Sequence, residues 1–545
     1  MQRRDFLKTS AALGTAAMAA RRSNAAAEND AESAQLPPRK SSSQWRVIMN
    51  DDGWNQFGGN TTADHLRQRV DYIAKAGVDV LTWCSAAPEL CLYPTQVGEW
   101  QGSPDRAAKL TTGHAWNIAY NLRQLVEQGS DPLEVIASRC HQHGMPFVTS
   151  IRMNDTHYTQ GYSSAHVVTE FTLEHPDWCI RDAAGKIAGG MNYAIPQVRE
   201  HRLAIMREQV ENYDLDGLEL DFMRHAPFFP RERAGQDAPL MTRFIGEIRQ
   251  MIDEVARQKN RARPILGVRV PTTLAECATE GLALDDWLAE GLPDYICPSH
   301  RSRPDFNIPV EEFVRIASGT PCRIFPTVHQ SLLAQYDKEQ VMTLEKYRGF
   351  ANNMFQFGAD GISTFNFMMG DIGTWHIQRH IGAWTMMKEM HDPEALQDHD
   401  RAYGYDISSD REISLDRGQD VGRRRTIPFR VAEDFSDNSW KRALRFKPGD
   451  LSVADRLRFD INGTDVTDRL RGDFVLEMSD PPNSARYQID LAGSPVRFGD
   501  NEFGATLIEA NPDLQAWTPD YLGYEQTLNV GPIRFTELEI VVTKA

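Results

Sequence analysis

Glu219 and Asp221 alternate with Leu218, Leu220 and Phe222, so on an extended strand both carboxylates share one face, about 6 to 7 Å apart at Cβ. Carboxylates presented in this way can take up a proton, deliver one, or attack carbon. The structural alternative is a polar core layer satisfied by arginines, since charged groups are rarely buried unless paired or functional. In a parallel barrel the strand's carboxyl-terminal rim is where chemistry is done. Asp221 would stand at that rim and is the leading catalytic residue, with Glu219 lower in the lumen. On this reading Asp221→Asn abolishes turnover with little loss of stability. Glu219→Gln lowers stability as well as activity if Glu219 is paired with a lumen arginine such as Arg152 or Arg269.

The elements that must position these acids follow in a regular βα order. Strands are expected at Trp45–Asn50, Val78–Trp83, Met145–Arg152, Leu218–Phe222, Pro264–Val270, Asp294–Cys297, Cys322–Val328 and Gly361–Phe367. Amphipathic helices are expected at Thr62–Ala76, Leu133–His143, Pro196–Asn212, Thr242–Gln258, Leu284–Glu290 and Thr343–Phe357. Strands and helices at these intervals predict parallel strands and a (β/α)8 TIM barrel over 45–395. From about residue 403 helical periodicity gives way to short alternating runs, among them Thr426–Val431, Phe474–Met478 and Leu538–Val542. Those runs predict an antiparallel β-sandwich over 403–545. No internal repeat and no phosphate-cradling glycine loop stands out.

Most remaining candidates lie where strands end. Asp155 and Asp305 are further carboxylates that could serve catalysis beside Asp221 and Glu219. Asn50, Asp51, Trp83, Arg152, Asn154, His157, Arg224, His225, Arg269, His300, His329 and Asn366 are expected to bind substrate. The long excursion from Ser85 to Ser130 carries Tyr93, Trp100, Trp116 and Tyr120, which either shape a cleft or pack on one another as a lid.

The 545 residues carry a net charge of −17 and a pI near 5.4, which excludes a general nucleic-acid binder. Arg3-Arg4-Asp5-Phe6-Leu7-Lys8 followed by an alanine-rich run reads as a twin-arginine export signal over 1–27, with a linker over 28–44. Export would place the protein in the periplasm or outside the cell. No later stretch holds the ~20 consecutive apolar residues that a membrane helix needs. Seven cysteines without CxxC spacing suggest buried free thiols rather than a disulfide framework or thiolate metal site. Asp51, Asp52, Asp155 and the histidines lack a paired-ligand motif on a helix, so no metal and no cofactor are predicted.

Three stretches carry a family resemblance: Pro196-Gln-Val-Arg-Glu200 with Tyr213-Asp-Leu-Asp-Gly217 and Leu220-Asp221, then Asp294-Tyr-Ile-Cys-Pro298, then Gly358-Ala-Asp-Gly-Ile362. They resemble the glycosyl hydrolase-like family 10 group of bacterial proteins, over most of residues 45–390. The resemblance implies a barrel acting on glycosidic bonds, with Asp221 matching the family's strand-four aspartate and carbohydrate as the partner. No carboxylate stands near His329, so a glycosidase with its second carboxylate after strand seven is not matched. Asp155, Glu276 and Asp305 remain as partners for Asp221. Two other readings compete with a hydrolase. One is a polysaccharide lyase using His157, His225, His300 or His329 as base, and the other a glycan-binding barrel without catalysis. Arg152, Arg224, Arg269, Arg301 and Arg303 gather at the strand ends and favour a sulfated or uronate-containing polysaccharide, unless neighbouring carboxylates neutralise them.

Overall fold

The computed structural model describes residues 36–157, 167–301, 303–329, 342–367, 384–405, 413–437, 439–473, 486–517 and 527–545. The export signal and the Phe474–Met478 strand lie outside the described residues. Parallel strands β1 (Val47–Asp51), β2 (Val80–Ala87), β3 (Phe147–Arg152), β4 (Gly217–Asp221), β5 (Ile265–Val270) and β6 (Tyr295–Pro298) pair in chain order. Strand β7 comes in two pieces, Arg323–Ile324 and Thr327–His329, and β8 is Ile362–Phe365.

The break in β7 corrects the continuous strand expected from Cys322 to Val328. Pro326 has no N–H to donate, so the ladder cannot run through it. Before the break Phe325 N donates to Ile296 O of β6 (2.9 Å), and after it Ser363 N of β8 donates to Pro326 O (3.0 Å). β8 in turn pairs with β1. The ladder therefore returns to its start, and the sheet is a TIM-like barrel.

Helices α1 (Ala63–Lys75), α2 (Gly113–Glu127), α3 (Pro132–Gln142), α4 (Pro196–Asn212), α5 (Ala234–Gln258), α6 (Leu284–Ala289), α7 (Val310–Ala317) and α8 (Leu344–Gln356) run between the strands, and residues 384–389 are also helical. The helix α2 lies inside the Ser85–Ser130 excursion. Thr112 accepts from Ala115 N to start it, and Ala115, Ile118, Ala119, Leu122 and Leu125 are its buried face. α5 begins eight residues before the expected Thr242. Pro239 falls early in it, and Arg233 forks onto Asp237 across the first turn (2.9 and 2.8 Å).

At the entry end of the barrel four aspartates do the same job. Asp79, at the entry to β2, accepts from Arg46 N (2.7 Å) and Val47 N (3.0 Å) of β1. Asp216 before β4 accepts from Phe147 N of β3 (2.8 Å), Asp294 before β6 from Leu266 N of β5 (2.8 Å), and Asp360 before β8 from Ile324 N of β7 (2.9 Å). A fourfold repeat is thus present that the residues alone did not disclose. Three of these four aspartates belong to the stretches that carry the family resemblance, and their work is structural. Two glycines allow the strands between to close. A Cβ on Gly217 would lie 2.0 Å from Ile265 O, and one on Gly267 would lie 2.0 Å from the Tyr295 ring.

The C-terminal strands form two antiparallel sheets. Strands β9 (Arg401–Tyr405), β11 (Trp440–Gly449), β13 (Arg486–Asp490) and β15 (Ile533–Lys544) lie in one. Strands β10 (Arg424–Val431), β12 (Arg456–Ile461) and β14 (Gly499–Glu509) lie in the other. Phe446 of the first sheet meets Phe459 (4.8 Å between centroids) and Phe503 (5.2 Å) of the second. The barrel is joined to them through α8, where Asn353 Nδ2 donates to Arg430 O (2.9 Å) and its Oδ1 accepts from Ala432 N (2.8 Å). All seven cysteines are free and buried. No described helix is long and apolar enough to cross a membrane.

Candidate active site

Strand register puts the central carboxylate between two arginines. Asp221 on β4 is the Cα partner of Arg152 on β3 and of Arg269 on β5. Arg269 takes it in a two-pronged ion pair, Nε to Oδ1 at 2.8 Å and Nη2 to Oδ2 at 3.1 Å. Met223 N adds a second bond to Oδ1 (2.9 Å), so Oδ2 is the less occupied oxygen. Arg269 is fixed in turn by Ser299 Oγ (2.9 Å) and by the Phe365 ring 3.4 Å beneath its guanidinium.

This pairing reverses the expected roles of the two acids. Among the described residues Glu219 makes no ion pair with an arginine; it accepts from Tyr295 Oη (2.9 Å) and Asn50 Nδ2 (3.4 Å) deep in the lumen. Burial pushes its carboxyl up, with the Asp221 charge adding and hydrogen bonds from Ser150 and Tyr295 opposing.

Arg152 turns to the other side of the mouth. It bridges Asp155 (Nη1 to Oδ2, 2.8 Å) and Asp52. Asp155 also accepts from His157 N (3.0 Å) and His157 Nδ1 (2.6 Å), and His225 Nδ1 stands 3.4 Å away. Burial works against the Asp155 anion, but those histidine bonds and the Arg152 charge outweigh it and hold the carboxyl well below the usual range. Arg224 Nη2 donates to His157 Nε2 (2.9 Å). The chain Arg224, His157, Asp155, Arg152, Asp52 therefore runs around the rim from β4 to β1. Burial lowers Arg224 to about 10 and His225 to about 4.

Asp155, His157 and His225 bring three ligand atoms within 4.8 Å of one another, the spacing of a metal centre. The proton positions argue against one. Because Arg224 donates to Nε2 of His157, the ring's own proton sits on Nδ1, where a metal would need a lone pair.

Not every expected contact faces the mouth. Val80 and Thr82 of β2 align with Ile48 and Asn50 of β1, and Val80 and Ile48 share the lumen cluster, so by alternation Trp83 turns outward. It packs edge-on against Phe57, 6.5 Å between centroids. Asp51 also turns away. Its Oδ1 accepts from Gly53 N (2.8 Å), and burial raises the carboxyl to about 6. Asn154 holds loops together, donating to Met191 O (3.2 Å) and Pro227 O (2.9 Å). Asp305 accepts from Asn307 N (2.9 Å) in the approach to α7. His329 Nε2 donates to His300 O (2.9 Å), and burial with the Arg269 charge holds its ring well below the usual histidine range. Asn366 closes the β8 end in the left-handed region (φ 53°), its buried Oδ1 without a hydrogen-bond partner among the described residues. A non-glycine residue held there is the kind of local cost that clusters at functional sites.

Asp52 is the rim residue that was weighed for a metal but not for catalysis. Its side chain is 11 % exposed, against 1 % for Asp155 and 2 % for Asp221. The signal was available, since Asp51 ends β1 and Asp52 follows it, and alternation directs only one of the two outward.

No curated protein matches the sequence. Solved structures similar to it include α-L-fucosidase isoenzyme 2 from Paenibacillus thiaminolyticus, at 12 % identity, 67 % of this chain and 51 % of that one, TM-score 0.40. A GH36 α-galactosidase from Geobacillus stearothermophilus matches at 12 % identity over 85 % and 55 %, TM-score 0.36. A noncanonic maltogenic α-amylase from Thermotoga neapolitana matches at 10 % identity over 86 % and 100 %, TM-score 0.36. The chain spans about half the length of the fucosidase and of the galactosidase. Residues 89–250, which hold β3, β4 and the rim residues from Arg152 to His225, match the family described as Glycosyl hydrolase-like 10, the group that the Pro196–Asp221 motifs resemble.

Proposed function

We propose that the protein is an exported glycoside hydrolase built on a (β/α)8 barrel with a C-terminal β-sandwich, and that Asp221 is its central carboxylate. The observation that carries this reading is the Asp221–Arg269 fork at the β4 rim, which leaves Oδ2 as the oxygen with capacity to spare. That atom acts as nucleophile on the anomeric carbon, or as base toward a water. The second carboxylate is Asp52, the most exposed of the three rim acids, placed by Arg152. Asp155 is a positioning residue: its oxygens are taken by Arg152 and the two histidines. His157 and His329 are not placed to act as a lyase base, because Arg224 donates to His157 Nε2 and His329 Nε2 donates to the His300 carbonyl.

The substrate on this reading is an anionic polysaccharide. Arg152 and Arg269 are neutralised by Asp52, Asp155 and Asp221, whereas Arg224 and Arg301 make no ion pair with a described carboxylate. Sulfate or carboxylate groups fit those two guanidinium groups. Release of reducing ends from native glycans and their desulfated or carboxyl-reduced forms tests the whole assignment. Asp52→Asn and folded Asp221→Asn are expected to lose at least 100-fold in kcat. Normal turnover by either removes that residue from the mechanism, and equal turnover of neutral glycans without salt dependence removes the anionic preference.

A further inference from the structure

We propose that the stacked rings of Trp116 and Tyr120 on α2 form a second glycan-binding site, a platform outside the mouth that holds a polymer whose chain continues to the rim. The inference rests on the glycoside hydrolase reading for its ligand class. Its observations are separate from the catalytic residues.

The two rings are not part of the core. The buried face of α2 is Ala115, Ile118, Ala119, Leu122 and Leu125, while Trp116 and Tyr120 are 43 % and 38 % exposed. They lie one helical turn apart and nearly parallel, with centroids 5.0 Å apart and planes at 13°. The Arg123 guanidinium carbon stands 5.9 Å from the Tyr120 centroid. The two rings cover each other's facing sides, so the stack offers an outer aromatic face on the exposed Trp116, with the Arg123 guanidinium over Tyr120.

The helix is also tied to the rim. Asn121 Nδ2 donates to Phe57 O (2.8 Å) and Gly59 O (2.7 Å), the turn that follows Asp52. A sugar ring suits this surface, because its C–H face lies on an aromatic plane while its hydroxyl and acidic groups reach Arg123. Nucleic-acid bases would stack as well, but a chain of net charge −17 disfavours a dense polyphosphate.

The test is electrophoresis of the full chain through gels containing xylan, mixed-linkage β-glucan, hyaluronan or chondroitin sulfate. Wild type and Asp221→Asn should both be retarded in at least one gel, so that loss of hydrolysis and loss of platform binding are read separately. Trp116→Ala/Tyr120→Ala should bind about tenfold more weakly, the scale of one lost stacking contact. It should keep its kcat on short oligosaccharides cut from the retarding polymer. The proposal is overturned if no gel retards wild type, or if the double variant is retarded as wild type is. It is also overturned if the double substitution changes only the sedimentation of the protein, which would make the patch a protein contact.

Discussion

The pairing of Asp221 with Arg269 changes what a single substitution does. Asp221→Asn leaves a buried guanidinium without its counter-charge, and breaking one side of such a pair costs about 3–5 kcal/mol. Glu219→Gln keeps the shape and removes no ion pair, since burial already favours its proton. Thermal midpoints should therefore fall much further for Asp221→Asn than for Glu219→Gln, the reverse of what the strand pattern suggests. Two further residues have opposite pH signatures. His225 has a folded value near 4, below its ordinary 6.5, so its contribution to stability is present above about pH 6.5 and is lost as pH falls to 4. Asp51, raised to about 6 from 3.8, contributes below pH 3.8 and loses that contribution as pH rises through 6. Asp51→Asn should match or exceed wild-type stability at pH 7, and His225→Asn should flatten the acid decline between pH 6.5 and 4. Equal slopes of stability against pH in wild type and His225→Asn would refute the second assignment. Alternation along β4 placed both acids on one face correctly. It could not say which arginine meets which acid, because that depends on the register of β3 and β5 beside it.

Among the elements, α8 links the two parts of the chain. Gly349 lets β9 approach, since a Cβ there would lie 2.0 Å from Ala402 O, and Asn353 spans the Arg430 and Ala432 backbone groups with both ends of its amide. Asn353→Leu strands two buried backbone groups and should cost about 2–5 kcal/mol, read as a lower denaturant midpoint. An unchanged midpoint would show that the amide is dispensable. The helix pattern of Thr343–Phe357 was legible from the residues, but the buried Asn353 gave no hint of the backbone groups it meets. The opposite holds for α2. Its apolar spacing at Ile118, Leu122 and Leu125 was in the sequence, masked by the aromatic residues among it. The short α7 offers only eight residues, too few for periodicity to stand out.

Across the whole molecule, eight strands were legible because alternation and βα intervals repeat, and Pro326 was the local sign that β7 would not be continuous. The four entry aspartates were not, because each reaches a strand tens of residues away in sequence. They fasten β1 to β2, β3 to β4, β5 to β6 and β7 to β8 at the entry end, whereas the β4–β5 seam is crossed at the rim by the Asp221–Arg269 fork and the β8–β1 seam by Arg46 Nη1 on Asp360 O (2.7 Å). The barrel is then four double strands set side by side, which bears on how the chain tolerates being cut. Circular permutants opened at Asn260, between double strands, should melt close to wild type. Those opened at the Asp182–Gly185 turn, inside the β3–β4 unit, should melt lower and refold more slowly, and equal behaviour of the two would mean that the barrel has no such modules. If the modules hold, a fragment ending at Asn260 is the natural half to mix with its complement, and the mouth, built from both halves, becomes a direct reporter of their reassembly.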